Sequence, residues 1–251
     1  MNAHAILLIG GWAHAPETLE PLVAHLAGRM VLPVQAYAPA TAPVGAQVWH
    51  EPGLPSPYAR GLRLELDDDP VVVVGWSMGG LIALELAAYW PDLVAGLVLV
   101  GATARFTADA AYPHGQPANE VDRMLKGLSR RAAPKVLSEF TRRCAAPAPV
   151  NEAYGTYPRP EEIHANDYAG LIDGLTYLRD ADVRPLLHGI RQPALIAHGT
   201  DDAVVPLDAG QYVSDHLLNS QFRTHQHAGH TLPLTRAADL ATDITTWLET
   251  T

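Results

Sequence analysis

Cysteine is nearly missing from this chain of 251 residues, which contains only Cys144. A single cysteine excludes an internal disulfide and fits a reducing compartment, so we expect the protein to be cytoplasmic. No apolar run approaches the ~20 residues that a membrane-spanning helix needs, so we expect no membrane association. The first residues carry no basic segment, and Gly10 and Gly11 interrupt their apolar stretch. We therefore expect no signal peptide.

Positive charge is also scarce in the chain. Seventeen Lys and Arg residues stand against 27 Asp and Glu, which gives a formal net charge of −10 and argues against a nucleic-acid partner. Hydrophobic residues make up 48% and charged residues 18% of the chain, as in a soluble globular enzyme and unlike a disordered protein. The length accommodates one sizeable α/β core, and nothing requires two separate domains.

One serine lies between a strand pattern and a helix pattern, with glycines two residues to either side. The four valines of 71–74 are typical of a strand buried on both faces, and residues 81–88 are rich in alanine and leucine, which favour a helix. Between them lies Gly75-Trp76-Ser77-Met78-Gly79, the pattern of a nucleophile elbow. In such a sharp turn the glycines allow close backbone approach, and the serine hydroxyl projects from the sheet. We therefore predict that Ser77 is a catalytic nucleophile.

Strand and helix patterns alternate before and after this elbow. The further strands are predicted over residues 5–9, 30–37, 94–100, 193–197 and 222–225, and the further helices over 16–26, 58–66, 208–218 and 236–248. This alternation predicts a parallel sheet with crossover helices. Pro33 interrupts the second strand, which indicates a position near the sheet edge.

The middle of the chain has a different character. From Gly101 to about Asp180 the strand signals vanish, and helices are predicted, most clearly over residues 118–128 and 134–144. We predict an α/β core formed by residues 1–105 and 181–251, with residues 106–180 inserted as a helical lid. Such an insertion would lie over the carboxyl ends of the strands, where open α/β sheets place their sites.

A serine nucleophile needs a base, and the base needs an orienting carboxylate. Asp201 and Asp202 follow the predicted strand 193–197, and both are candidates for the acid. Of the 12 histidines, His230 is the best-placed base because it follows a glycine in a loop before the last helix, whereas His225 and His227 alternate along a predicted strand. These three histidines could instead hold a metal, but the sequence does not show the supporting geometry. We predict no metal, and no cofactor, because the nucleophile and the base are both side chains.

Three segments together resemble the α/β-hydrolase family: the elbow, His198-Gly199-Thr200-Asp201-Asp202 and Ala228-Gly229-His230. The resemblance covers nearly the whole chain apart from the lid. It implies a mostly parallel central sheet with helices on both faces and a helical lid. It also implies Asp202 as the acid, because the family's acid commonly lies four residues before a proline, here Pro206. Finally, it implies an oxyanion hole formed by the backbone N–H groups of Met78 and Trp12. Gly10 stands where the family usually has a histidine, which removes a side chain but not the donor.

Within this family, the paired tryptophans Trp12 and Trp76 resemble those of the esterases of biotin synthesis that hydrolyse the methyl ester of pimeloyl-acyl carrier protein. Phe140 and Cys144 are similar to the lid segment that contacts the acyl chain in those enzymes. The resemblance implies a small ester substrate presented by an acidic acyl carrier protein. A general short-chain carboxylesterase, another enzyme of the fold such as a carbon–carbon hydrolase or a lyase, and a small-ligand receptor with slow turnover remain the alternatives.

The lid region is basic although the chain is acidic. Between Val121 and Arg143 lie seven basic residues and only two acidic ones. On the helix predicted over residues 134–144, Phe140 shares one apolar face with Cys144, while Arg142 points away from it. We predict a docking surface for an acidic carrier protein, to which we assign Arg130, Arg131, Arg142 and Arg143. A merely solvated basic helix is the alternative. We expect the protein to be a monomer.

Overall fold

The structure, a computed structural model, describes residues 4–26, 31–34, 53–129, 132–163 and 168–251. In these ranges the strands are β1 (Ile6–Ile9), β2 (Val31–Val34), β3 (Val71–Trp76), β4 (Val94–Val100), β5 (Thr107–Ala108), β6 (Gln116–Pro117), β7 (Ala194–Gly199) and β8 (Ser220–His225). Six of them form one sheet in the order β2-β1-β3-β4-β7-β8, and every neighbouring pair is parallel. The predicted parallel sheet is therefore confirmed.

The valine-rich strand β3 lies inside the sheet, and its side chains supply both faces. Val71 and Val73 belong to one apolar cluster, and Val72 and Val74 belong to the other. This division explains why the strand has no polar alternation, because neither face meets water. By contrast, β2 ends the sheet among the described residues, as predicted from Pro33, because a strand that pairs on one side only tolerates proline.

The helices of the described ranges cover both faces of the sheet. They are α1 (Glu20–His25), α2 (Pro57–Glu65), α3 (Met78–Tyr89), α4 (Ala118–Ser129), α5 (Ala133–Ala145), α6 (Val150–Tyr154), α7 (Pro160–Ile163), α8 (Ala169–Asp180), α9 (Leu207–His216), α10 (Leu232–Thr235) and α11 (Ala237–Thr250). Helices α1 and α11 pack together over one face, whereas α2, α3 and α9 bury their apolar residues on the other. Within the ranges that the structure describes, no helix is long and apolar enough to cross a membrane.

Helices α4 to α8 all lie in the chain between β4 and β7, where the sequence predicts the inserted lid. The insertion also contains β5 and β6, a parallel pair of two residues each, so the expectation that it lacks strands is wrong in this detail. Two residues are too few to show the alternation on which strand prediction depends. The limits of the lid, residues 106 and 180, remain a prediction.

Candidate active site

Ser77 occupies a sharp turn between β3 and α3. Its backbone has φ 56° and ψ −116°, a strained combination for a residue with a side chain. The glycines around it are required by close backbone approach: a Cβ on Gly75 would lie 2.4 Å from the Gly79 carbonyl oxygen, and one on Gly79 would lie 2.2 Å from the Ile9 carbonyl oxygen. Any other residue at either glycine would therefore force α3 away from the sheet.

The structure brings Ser77, His230 and Asp202 together in one hydrogen-bonded chain. His230 Nε2 lies 2.9 Å from Ser77 Oγ, and His230 Nδ1 lies 2.8 Å from Asp202 Oδ2. Trp76 Nε1 donates to the His230 carbonyl oxygen at 2.9 Å and so holds the histidine loop against the elbow. With Nδ1–H donated to the carboxylate, Nε2 accepts from the serine hydroxyl, which is the arrangement that prepares a serine for nucleophilic attack.

The Asp202 carboxylate is fully occupied by partners. Its second oxygen, Oδ1, accepts from the N–H groups of Val204 and Val205, each at 2.8 Å. Burial alone would raise the pKa of this carboxyl. The charge and hydrogen bond of His230, the nearby His198 and the Val205 N–H outweigh burial and hold the pKa below its ordinary value. The carboxylate is therefore ionised at neutral pH.

Asp201, the alternative acid, lies elsewhere. Its side chain is 42% exposed, and its Oδ2 is 3.7 Å from Nδ1 of His227, which is itself 86% exposed. His225 points toward Asp243, with 3.1 Å between its Nε2 and Oδ2. His225 and His227 thus lie apart from the triad, and among the described residues no group of three His, Cys, Asp or Glu side chains could hold a metal ion.

Two backbone segments next to the serine carry the N–H groups that are predicted to bind the oxyanion. Met78 is the first residue of α3, so its N–H has no acceptor within the helix and the positive end of the helix dipole lies at Ser77. Trp12 lies in the turn after β1. A Cβ on Gly11, the residue before it, would come within 3.3 Å of Ser77 Cβ, so the backbone of this turn runs directly beside the serine. Backbone donors placed in this way suit a developing oxyanion.

A mainly apolar cavity opens beside Ser77. Its wall is formed by side chains of the turn after β1, of the insertion and of the loop after β7, namely Trp12, Phe106, Gln116, Glu120, Val121, Met124, Phe140, Arg143, Leu175, Leu178 and Val204. Phe140 contacts Trp12 edge-to-face, with 4.8 Å between the ring centroids. Phe140 therefore lines the cavity beside Ser77, and its contact with an acyl chain stays a prediction.

Cys144 is not placed as the sequence analysis expects. It lies one turn beyond Phe140 on α5, is fully buried and does not line this cavity. Its thiol is hydrogen-bonded to the Tyr154 hydroxyl, and burial raises the pKa of the thiol well above its usual range. The assignment of Cys144 to acyl-chain contact is therefore corrected: the residue packs between helices.

The basic residues of the insertion differ in their surroundings. Arg142 is 67% exposed and pairs with Glu139 on its own helix. Arg143 turns inward: its Nη2 donates to Gln116 Oε1 at 2.8 Å and to the Ala203 carbonyl oxygen at 2.9 Å. Arg143 is thus tied to the loop that carries Asp202, and its guanidinium is not free on the surface as a docking residue should be. Arg130 and Arg131 lie outside the described residues.

Sequence analysis missed Gly101, which packs against the triad. Gly101 follows β4 with φ 49°, and a Cβ there would lie 3.2 Å from Asp202 Oδ2 and 3.3 Å from His230 Nδ1. Its only sequence signal is its place directly after a buried strand. His198, also missed as a site residue, donates Nε2–H to the Val205 carbonyl oxygen at 2.9 Å, and burial lowers its pKa.

Known proteins that are similar to this chain show its family. A family model described as the alpha/beta hydrolase fold matches residues 58–237. The chain belongs to the α/β-hydrolase family. It is 32% identical to the pimeloyl-[acyl-carrier protein] methyl ester esterase of Aromatoleum aromaticum over 96% of each chain. It is also 31% identical to the esterase of the same name from Neisseria meningitidis serogroup C, over 94% of this chain and 90% of that one.

Solved structures of α/β-hydrolases share the fold. A hydrolase from Oleispira antarctica superposes with a TM-score of 0.83 over 100% of this chain and 93% of its own, at 16% sequence identity. At this identity the likeness establishes the architecture alone.

Proposed function

We propose that the protein is a serine carboxylesterase and that its substrate is the methyl ester of pimeloyl-acyl carrier protein. The observation that carries the first part is the hydrogen-bonded chain from Ser77 through His230 to Asp202, buried beside an apolar cavity. The second part is supported by the names of the two esterases that resemble this chain over nearly its whole length.

In the proposed reaction, Ser77 Oγ attacks the ester carbonyl carbon while its proton passes to His230 Nε2. The resulting oxyanion accepts hydrogen bonds from the N–H groups of Trp12 and Met78. His230 then returns the proton to the leaving methoxide oxygen, and methanol departs. A water molecule, deprotonated by His230, then attacks the acyl carbon, and the bond from that carbon to Ser77 Oγ breaks as His230 returns the proton to Oγ, which releases the free acid. Asp202 keeps Nδ1–H oriented and stabilises the imidazolium that forms in each half of the reaction.

The cavity wall suits an acyl chain. Phe106, Val121, Met124, Leu175 and Leu178 surround the space next to Ser77 with apolar groups. Each methylene that leaves water for such surroundings contributes about 0.8 kcal/mol of binding free energy. The cavity encloses about 20 Å³, room for a single water molecule, so the insertion must move away from the core before a methyl ester can present its carbonyl to Ser77 with its chain between the two.

A surface groove between α4 and α5 supports delivery by an acidic carrier. The groove shares Glu120, Met124, Phe140 and Arg143 with the cavity wall, so it leads from the surface toward Ser77. Its further lining includes the acidic side chain of Glu139, which pairs with Arg142, and the basic side chains of Arg123 and Lys135. An acidic protein would be attracted to these charges, whereas a small neutral ester would not be.

The carrier is tested by comparing methyl pimeloyl-carrier protein with a free 4-nitrophenyl ester. The variant Arg142→Glu reverses an exposed charge near the groove, and Arg223→Glu makes the same change at an exposed position on β8. We expect Arg142→Glu to raise KM for the carrier substrate roughly threefold to tenfold and to leave the free ester unaffected, because close surface charges contribute on the order of 1 kcal/mol. Equal effects of the two variants would contradict carrier docking at this surface.

The hydrolytic chemistry is tested separately with a fluorophosphonate probe. Wild-type protein should gain one adduct, located on Ser77, and Ser77→Ala should gain none and lose ester hydrolysis. Efficient hydrolysis by Ser77→Ala would contradict the proposed nucleophile. Labelling without turnover of any ester would instead indicate a small-ligand receptor that keeps the fold and the triad.

A further inference from the structure

A buried histidine outside the triad contacts the turn that carries Trp12. His14 is not exposed, and its Nδ1 lies 2.9 Å from the Trp12 carbonyl oxygen. Its Nε2 lies 2.9 Å from the hydroxyl of Tyr154, which is on α6 of the insertion. The imidazole also packs against Trp76 of the elbow, with 4.5 Å between the ring centroids. One side chain therefore touches the turn, the elbow and the insertion.

The partners determine the direction of each hydrogen bond around a neutral His14. A carbonyl oxygen only accepts, so Nδ1 must carry the proton and donate to Trp12. Nε2 then accepts from the Tyr154 hydroxyl. The two hydrogen bonds thus link a tyrosine on α6 to the backbone of the turn without a mismatch.

His14 holds the peptide groups on both sides of Trp12. Its side chain binds the carbonyl of the Trp12–Ala13 peptide, and its own N–H donates to the Gly11 carbonyl oxygen at 3.3 Å. That carbonyl belongs to the same planar peptide as the Trp12 N–H, so fixing one end of the peptide aims the other. Gly10 and Gly11 have no side chains with which to hold the turn.

The turn needs such support because it is strained. Ala13 has φ 62°, a left-handed conformation that costs a residue with a Cβ roughly 1–2 kcal/mol. Strained backbone persists only where the surrounding contacts determine it. Here these contacts include the His14 imidazole and the Trp12 indole, whose Nε1 donates to the Leu171 carbonyl oxygen of α8 at 2.9 Å.

We propose that His14 is a positioning residue for the Trp12 N–H, and that through Tyr154 it makes this donor depend on the packing of α5 and α6 against the core. The role rests on the proposed function, since it matters only where an oxyanion forms beside Ser77. When the inserted helices separate from the core, His14 loses its Tyr154 partner and the turn loses one of its supports. The oxyanion donor is then correctly placed only beneath the packed insertion.

The test compares four variants on a free 4-nitrophenyl ester. His14→Ala removes both ring contacts, and His14→Asn keeps a side-chain N–H at the place of Nδ1. Tyr154→Phe removes only the hydroxyl. Tyr112→Phe is the matched control, because it also removes one fully buried hydroxyl with a side-chain partner, Thr103 at 2.9 Å.

We expect His14→Ala to lower kcat by roughly tenfold to a hundredfold, less than the ~10²–10³ that accompanies complete loss of an oxyanion donor, with KM within about twofold of the wild-type value. The affinity for phenylboronic acid, whose tetrahedral adduct places an oxygen in the oxyanion hole, should fall by the same factor as kcat. His14→Asn should recover most of kcat. Tyr154→Phe should lower kcat by a smaller factor, whereas Tyr112→Phe should leave it unchanged.

An unchanged kcat in His14→Ala, or equal losses in His14→Ala and His14→Asn, would overturn the positioning role. Should His14→Ala fail to fold, equal kcat values for Tyr154→Phe and Tyr112→Phe at matched melting temperatures would also overturn it. The fluorophosphonate adduct separates this result from failure of the proposed function. A missing adduct on wild-type Ser77 removes the esterase itself, whereas a normal adduct with unaffected variants removes only the role of His14.

Discussion

Replacement of Asp202 by asparagine should greatly lower kcat, because the surrounding hydrogen bonds force His230 into the tautomer that carries its proton on Nε2. Oδ1 accepts from two backbone N–H groups, those of Val204 and Val205, each at 2.8 Å. An asparagine amide would direct its oxygen at these donors, since the opposite orientation sets its NH₂ group against two N–H groups. The NH₂ group then faces His230 Nδ1, which must become an acceptor. The proton moves to Nε2, which faces Ser77 Oγ and can no longer take the serine proton.

The size of the effect follows from the loss of the base. A triad whose histidine is held in the wrong tautomer loses about 10⁴ in kcat, which corresponds to about 5.4 kcal/mol of activation free energy. Asp201→Asn should change kcat less than about twofold, because the Asp201 side chain is 42% exposed and lies near His227 instead of His230.

Steady-state hydrolysis of a free ester by both variants measures the difference. The fold should survive in each, since Asn keeps the size of Asp, and circular dichroism melting supplies the control. A larger loss in Asp201→Asn than in Asp202→Asn would refute the assignment. Equal, small losses would show that neither carboxylate orients the base.

Two further changes test structural arguments. Burial raises the pKa of Glu85 to about 7, so the folded state binds more protons than the unfolded state between about pH 4.5 and pH 7, and stability falls as the pH rises. Glu85→Gln should remove about 3 kcal/mol of this pH dependence from the free energy of unfolding, whereas Glu20→Gln, at an exposed position, should keep the wild-type pH dependence. Urea titrations at pH 4.5 and pH 8 measure the free energy of unfolding of each variant. A wild-type pH dependence in Glu85→Gln would contradict the burial argument. Gly101→Ala should lower kcat about tenfold or more, because its Cβ would lie 3.2 Å from Asp202 Oδ2 and displace the carboxylate. It should also reduce the melting temperature, because the backbone has φ 49°. Normal kinetics would show that the triad tolerates this displacement.

The fold could be predicted because its evidence is local. A run of four valines, glycines at fixed spacing and an alanine-rich segment each specify one element within a short window. The parallel arrangement follows from their alternation, and parallel topology alone brings the loops after β1, β3 and β7 to one edge of the sheet. The family assignment and the parallel sheet are confirmed on these grounds.

The side-chain arrangement could not be predicted because it depends on partners that are distant in the chain. Asp201 and Asp202 are adjacent, and only the tertiary position of His230 separates their environments. The charge of Arg143 indicates a surface position, but its acceptors are Gln116 and the Ala203 carbonyl, 27 and 60 residues away in the chain. Cys144 shares a helix face with Phe140, yet one further turn of α5 moves it from the cavity wall to a contact between helices.

The solitary thiol of Cys144 makes the protein its own reporter of helix motion. The carbonyl of this residue accepts from the Thr231 N–H, next to His230, and its sulfur is sealed between α5 and α6 in the packed state. A disulfide reagent such as Ellman's can react only after those helices part, so the labelling rate follows the frequency of that opening without any engineered probe. A ligand that stabilises the closed insertion would lower the rate of thiol labelling, and the decrease would measure how strongly the ligand favours the closed form.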